Sequence, residues 1–271
     1  MDARYKDLHA HPQGPGDACP MALQIVNDER QNDGSLRGKV ISITGCSSGL
    51  GIETARALLP SPAQRSFSQP ATSPKDRMLW ATSSPTTYPS QLHLLQLDLG
   101  SLSRVRSCVD ALECQSGKLN GLVTDASVRF VPRGQTQDGF DTNLGTKHIA
   151  GSLLFELLRP ILHASTTRKL QSRVVIVYST AHRRAKISVH PGDIRTRWQR
   201  PKSGPISTSM YMQSPAQCAA TRGASLERCQ FSEPAKQEHT DFDPEHTPWT
   251  YDVEDTWRLY DISPKLVDMS G

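Results

Sequence analysis

Eight residues, TGCSSGLG at 44–51, constrain this chain more than any other stretch. They end a short β-branched run, GKVISITG, and lead into GLGIETARALL, whose apolar residues recur at helical spacing. Strand, tight turn and helix in that order form the setting a glycine-rich phosphate loop requires. Gly45 permits the turn, Gly49 lets a pyrophosphate approach the backbone, and Gly51 allows close helix packing. The helix start offers unpaired N–H groups to the anion. A plain structural turn is the competing reading. The flanking strand and helix favour nucleotide binding, although the spacing T-G-x-x-x-G-x-G departs from the common G-x-G-x-x-G.

The rest of the chain alternates in the same way. LHLLQLDL at 92–99 reads as a buried strand, and SLSRVRSCVDALE as a helix with Ser101 as N-cap. LNGLVTDAS at 119–127 supplies a further strand and its turn. TNLGTKHIAGSLLFELLRPIL is a long amphipathic helix, followed by the strand SRVVIVYST at 172–180. Between the first helix and residue 91 lie six prolines and many serines, and RMLWAT is the one strand candidate there. The fold class expected is α/β: a Rossmann-like doubly wound parallel sheet, with strands at 39–44, 92–97, 121–124 and 173–178, incomplete after the fifth strand. Residues 1–36 read as a polar tail with one short helical turn, 37–202 as the truncated dinucleotide-binding domain, and 203–271 as a partly irregular segment. That last segment has candidate helices around SPAQCAAT and VEDTWRLYDI.

Charge and cysteine content exclude several functions. The net charge of +4 comes from 31 basic and 27 acidic residues spread along 271, and the densest basic region, 183–202, has no aromatic interleaving. Nucleic acid is not an expected partner. No apolar run reaches the length of a membrane span, and the start MDARYKDLHA has no export h-region. Six cysteines without a CxxC pair read as reduced thiols, so the expected location is cytoplasmic.

On the glycine turn, LDL at 97–99, STAH at 179–182 and SVHPGDIRT at 188–196, the chain resembles the short-chain dehydrogenase/reductase family. Within it, the resemblance is to the fungal, retinol-dehydrogenase-like branch, and it covers about two thirds of the chain. The resemblance implies an NADP or NAD cofactor, with NADP favoured, and a small alcohol or carbonyl substrate. It assigns Thr44, Gly45, Ser47, Gly49, Leu50 and Gly51 to the phosphate turn, with Leu50 over the cofactor. Asp98 would accept from the adenine amino group, its rival role being a strand-end cap. Asp125 would stand beside the nicotinamide, and Pro191, Gly192, Ile194 and Thr196 would hold the carboxamide and pyrophosphate end. Ser179 would donate to the substrate carbonyl at the carboxyl end of a strand, where ligands of such sheets bind.

Three positions break the family pattern. Lys147, in GTKHIAGSLL, stands where related chains have the asparagine of GTNHLGHFLL. The supporting NNAG turn reads TDAS, which puts the anionic Asp125 in place of a neutral amide. The third break is the largest. The family's general acid is a tyrosine whose pKa is lowered by a lysine four residues on. Four residues after the six tyrosines stand His9, Leu92, His182, Pro215, Asp255 and Pro264. Seven residues, STAHRRA, occupy the place of the family's substrate loop and catalytic helix, and a crossover between parallel neighbours needs a dozen or so. Two functions are therefore weighed: an oxidoreductase moving hydride between a nicotinamide and an alcohol or carbonyl, and a non-catalytic dinucleotide-binding relative. Substitute acids would have to come from Tyr178, His182 or Lys147. Related chains pair through the helix that is missing, so a homo-oligomer is left open.

Overall fold

The computed structural model describes residues 20, 22–28, 38–46, 50–58, 77–82, 91–126, 134–168, 171–177 and 253–268, with short pairs of strand residues between 226 and 246. The chain divides into two compact units, Ala22–Val177 and, separately, Met1–Met21 with Tyr178–Gly271.

The first unit is α/β. A short helix α1 (Ala22–Asp28) precedes β1 (Val40–Thr44), and α2 (Leu50–Leu58) follows the glycine turn. Then come β2 (Arg77–Thr82), β3 (Gln91–Gln96), α3 (Leu102–Gln115) and β4 (Gly121–Thr124). A helical turn α4 (Thr142–Leu144) runs through a π-helical turn (Gly145–Ile149) into α5 (Ala150–Ala164), and β5 (Arg173–Ile176) closes the unit. The expected long amphipathic helix is thus three consecutive helical segments. α1 packs on α2 as part of this unit.

The five strands form one sheet in the order β3-β2-β1-β4-β5. β1, β4 and β5 are parallel neighbours, with Ile43 beside Val123 and Val123 beside Val175. The expected all-parallel sheet is corrected at β2, which is RMLWAT itself and runs antiparallel to both neighbours, Thr44 facing Met78 and Met78 facing Leu95. Between β2 and β3 the cause is connection length: eight residues separate Thr82 from Gln91, too few for a crossover, so these consecutive neighbours must reverse. Two reversals leave β3 pointing the same way as β1, and the four strands read from hydrophobic pattern share one direction.

Both faces of the central strands are packed. Ile43 and Val123 meet Cys46 and Ala55 in one buried cluster, with Leu58 of α2 against it. Leu122, next along β4 and so on the opposite face, is also buried. β5 is different. It stops at Ile176, and Val174 and Val175 are exposed, so the strand expected at 173–178 is an edge among the described residues. The segment KISVH, whose pairing the short STAHRRA connection puts in question, lies outside the described residues.

Asn120 joins the amino ends of the strands. Its Oδ1 accepts from Val40 N, its Nδ2 donates to the Ser165 carbonyl at the end of α5, and its own carbonyl accepts from Arg173 N. One buried amide thereby ties together β1, β4, β5 and the last turn of α5. In the second unit a helix α6 (Val253–Leu266) covers VEDTWRLYDI, with Trp257 and Tyr260 edge to face at 5.7 Å. SPAQCAAT lies outside the described residues.

Candidate functional site

β1 and β4 are parallel neighbours, so the turns that follow them lie side by side at the carboxyl edge of the sheet. Gly45 leaves β1 with φ +77°, a conformation that a side chain strains. A Cβ on Gly45 would also lie 2.8 Å from the backbone of Ala126. Gly51, buried in the first turn of α2, touches the other side of this junction. Its Cβ would meet the Gly45 carbonyl oxygen at 2.5 Å and the Asp125 Oδ2 at 3.1 Å. Two glycines thus let the chain fold β1 onto the turn after β4 with no room for a methyl group.

Thr44 fastens the same junction. Its Oγ1 accepts hydrogen bonds from both Asp125 N and Ala126 N at 3.1 Å. The residue read as a cofactor contact therefore holds the TDAS turn against the phosphate turn, a long-range role that spacing along the chain does not disclose. Asp125 is half-buried, and the Gly51 backbone N–H donates to its carboxylate. Burial pushes its pKa up to about 6, against the lowering effect of that N–H. Leu50, at the start of α2, is 69% exposed.

Asp98 follows β3 at the same sheet edge. Its Oδ1 accepts from Gly100 N at 2.7 Å and its carbonyl from Ser101 N, which closes a local turn after β3. Ser101 stands at the N-cap position of α3 with extended backbone, but its hydroxyl caps nothing. It pairs with the Ser103 hydroxyl, and the first free N–H of the helix, on Leu102, is taken by Asp138 Oδ2 at 2.8 Å. The expected cap is corrected: a carboxylate 36 residues away performs it. Asp141 caps α4 by accepting from Asn143 N and Leu144 N.

Lys147 and His148 are both buried in the π turn, a distortion frequent at functional sites. Burial pushes the His148 pKa down to about 4, which keeps the imidazole neutral at physiological pH. The Asn143 Oδ1, one turn earlier and buried, accepts no hydrogen bond among the described residues. Burial likewise pushes the Cys108 thiol up to about 12, so it is inert at neutral pH. No group of His, Cys, Asp and Glu that could hold a metal occurs among the described residues.

The structure therefore gathers Thr44, Gly45, Leu50, Gly51 and Asp125 at one junction and places Asp98 on the same edge. Ser47, Gly49, Ser179, Pro191, Gly192, Ile194 and Thr196 lie outside the described residues, as do Tyr178 and His182.

Residues 39–196 match the family described as short chain dehydrogenase, well over half of the chain. The chain belongs to the short-chain dehydrogenase/reductase family. This short-chain dehydrogenase/reductase is 34% identical over 184 residues to the short-chain dehydrogenase/reductase prx1 of Penicillium roqueforti, a match covering 68% of this chain and 53% of the relative. It is 37% identical over 188 residues to the oxidoreductase calI of Penicillium decumbens, covering 68% and 54%. Human retinol dehydrogenase 12 is 33% identical over 165 residues, covering 61% of this chain and 51% of that protein. The matches thus span about half the length of these relatives. A solved structure of an uncharacterised protein from Mycobacterium paratuberculosis shares the fold, with TM-score 0.50 and 20% identity over 83% of this chain and 91% of that one.

Members of this family use NAD or NADP, and the junction fits such a group in its main features. Its two close-packed glycines bring the end of β1 and the turn after β4 together at the start of α2, where Leu50 is exposed, and Thr44 holds the neighbouring turn in place. One feature opposes the fit: the Asp125 carboxylate already engages an N–H of that first turn.

Proposed function

We propose that this chain binds a nicotinamide dinucleotide at the carboxyl edge of β1 and β4, NADP in preference to NAD, and that the substrate class served by the whole protein is an alcohol or carbonyl. The observation that carries the reading is the junction itself. Gly45 is packed so tightly on the Asp125–Ala126 backbone, and Gly51 on the Gly45 backbone and the Asp125 carboxylate, that their lack of side chains serves a short turn feeding the helix N-terminus. When bound, the dinucleotide supplies or accepts hydride; the chain's own residues bind and orient it. The name of the retinol dehydrogenase relative supports the alcohol class. A cytoplasmic location is part of the same reading, resting on six cysteines without a CxxC pair.

The second reading, a dinucleotide-binding relative without turnover, is favoured by one observation: no tyrosine in these 271 residues is followed four positions on by lysine. Calorimetric titration of the purified chain with NAD and NADP tests the shared part of both readings. Saturable binding to the wild type and its loss in Gly49→Val are expected, because a branched side chain there would block the phosphate approach. Unchanged affinity in the variant would show the turn to be structural only, and absence of heat with either dinucleotide would remove the proposal.

A further inference from the structure

Resting on the dinucleotide-binding reading, we propose that Asp125 makes cofactor binding proton-linked: its carboxylate holds a backbone N–H that the phosphates need, and the site takes up a proton as the dinucleotide enters. The geometry is specific. Asp125 leaves β4 directly beside the phosphate turn, locked there by the two hydrogen bonds from its own and the next N–H to Thr44 Oγ1. Its Oδ2 lies 3.1 Å from where a Gly51 Cβ would stand, and the Gly51 N–H donates to the carboxylate. Gly51 is the second residue of α2, so this N–H is one of the four that a helix leaves without an internal partner. A fixed negative charge therefore occupies the positive end of the helix dipole, the place an anionic ligand would seek.

Few charges stand around it. On α2, Glu53 and Arg56 are ion-paired with each other. The Cys46 thiol donates to the Ile43 carbonyl. Lys39 precedes β1, and Arg173 on β5 is registered with Gly121, so both lie at the amino end of the sheet. β4 carries no other titratable side chain. The π turn holds the buried Lys147 and His148, but no neighbouring charge is among the causes acting on the Asp125 carboxyl, so desolvation governs it and raises its pKa to about 6. The direction follows. Above about pH 6 the ionised carboxylate repels a pyrophosphate. Below it the neutral carboxyl resembles the amide that the family places there, and affinity rises. Near neutrality a bound pyrophosphate stabilises the protonated form, so binding draws a proton from the buffer.

The test is calorimetry with NAD between pH 5 and 8, repeated near pH 7 in two buffers of different ionisation enthalpy. NAD is preferred because the 2′-phosphate of NADP itself titrates near pH 6. Expected are an affinity at least tenfold higher at pH 5 than at pH 8, uptake of a sizeable fraction of one proton, and loss of both effects in Asp125→Asn. That variant should bind at pH 8 as the wild type does at pH 5, since asparagine carries no charge at either pH to repel the phosphates. The proton count needs only the wild type and stands even if the variant misfolds. Binding with no proton uptake and no pH trend would overturn the inference and leave the dinucleotide reading intact. Absence of binding to both proteins at every pH would overturn both.

Discussion

Gly45 concentrates two demands at one residue. Its φ of +77° is disfavoured for any side chain, and a Cβ would overlap the Ala126 backbone at 2.8 Å, where no flexible atom can move aside. Strained backbone costs about 1–3 kcal/mol and overpacking a similar amount. Gly45→Ala should therefore lower stability by roughly 3 kcal/mol, read as a shift in the urea midpoint at unchanged slope. A loss below about 0.5 kcal/mol would mean that the junction relaxes and that its tightness is not a constraint. The glycine requirement was legible from the spacing alone. What Thr44 does was not, because its partners lie 81 and 82 residues away. The same holds for Asp125. Its charge stood out against the family's neutral amide, but the Gly51 N–H it engages becomes visible only when β1 and β4 are side by side.

At the scale of elements, hydrophobic pattern located β1, β3, β4, α2 and α3 to within a residue or two, since each has a buried face with the right period. Direction was less accessible. RMLWAT is only a strand candidate in the sequence, outside the four strands expected to form the sheet, and its reversal against β3 follows from the eight residues between them, a length that decides orientation only once the two strands are known to be neighbours. Helix ends show the same division. SLSR at the start of α3 has the composition of a local cap, but the Ser101 hydroxyl is turned to Ser103 and Asp138 takes the Leu102 N–H. That cap is tertiary: the loop bearing Asp138 is tied down by Gln137 N donating to the Gly100 carbonyl. Asp138→Ala should consequently cost about 1 kcal/mol, the usual value of a lost cap, while Ser101→Ala should stay within about 0.5 kcal/mol. Chemical denaturation of the two variants side by side distinguishes them. Equal losses would return the capping role to Ser101.

For the whole molecule, the decisive question is whether a preserved phosphate turn is enough for chemistry. The half of the family architecture that is described, β1 through β5, is the half proposed to bind the dinucleotide. On the family resemblance the other half begins after Val177, where seven residues, STAHRRA, stand in the place expected of a substrate loop and the helix bearing the acid. Lys147 does not make good the loss, since it is buried within the π turn in the place of a neutral amide. Without a positioned acid the developing alkoxide goes unprotonated, and general acid catalysis typically contributes about a hundred- to ten-thousand-fold. Losing the lysine that clamps the ribose also loosens the nicotinamide, and a misplacement of about 1 Å can cost roughly another hundredfold. The two factors multiply, so the chain as written should show little or no turnover even when saturated with cofactor. Cofactor oxidation measured over retinoid, steroid and short aliphatic carbonyls, beside a Ser179→Ala control, checks this. Turnover at ordinary enzyme rates that disappears in the control would prove the expectation wrong and direct the search for a substitute acid to Tyr178 and His182.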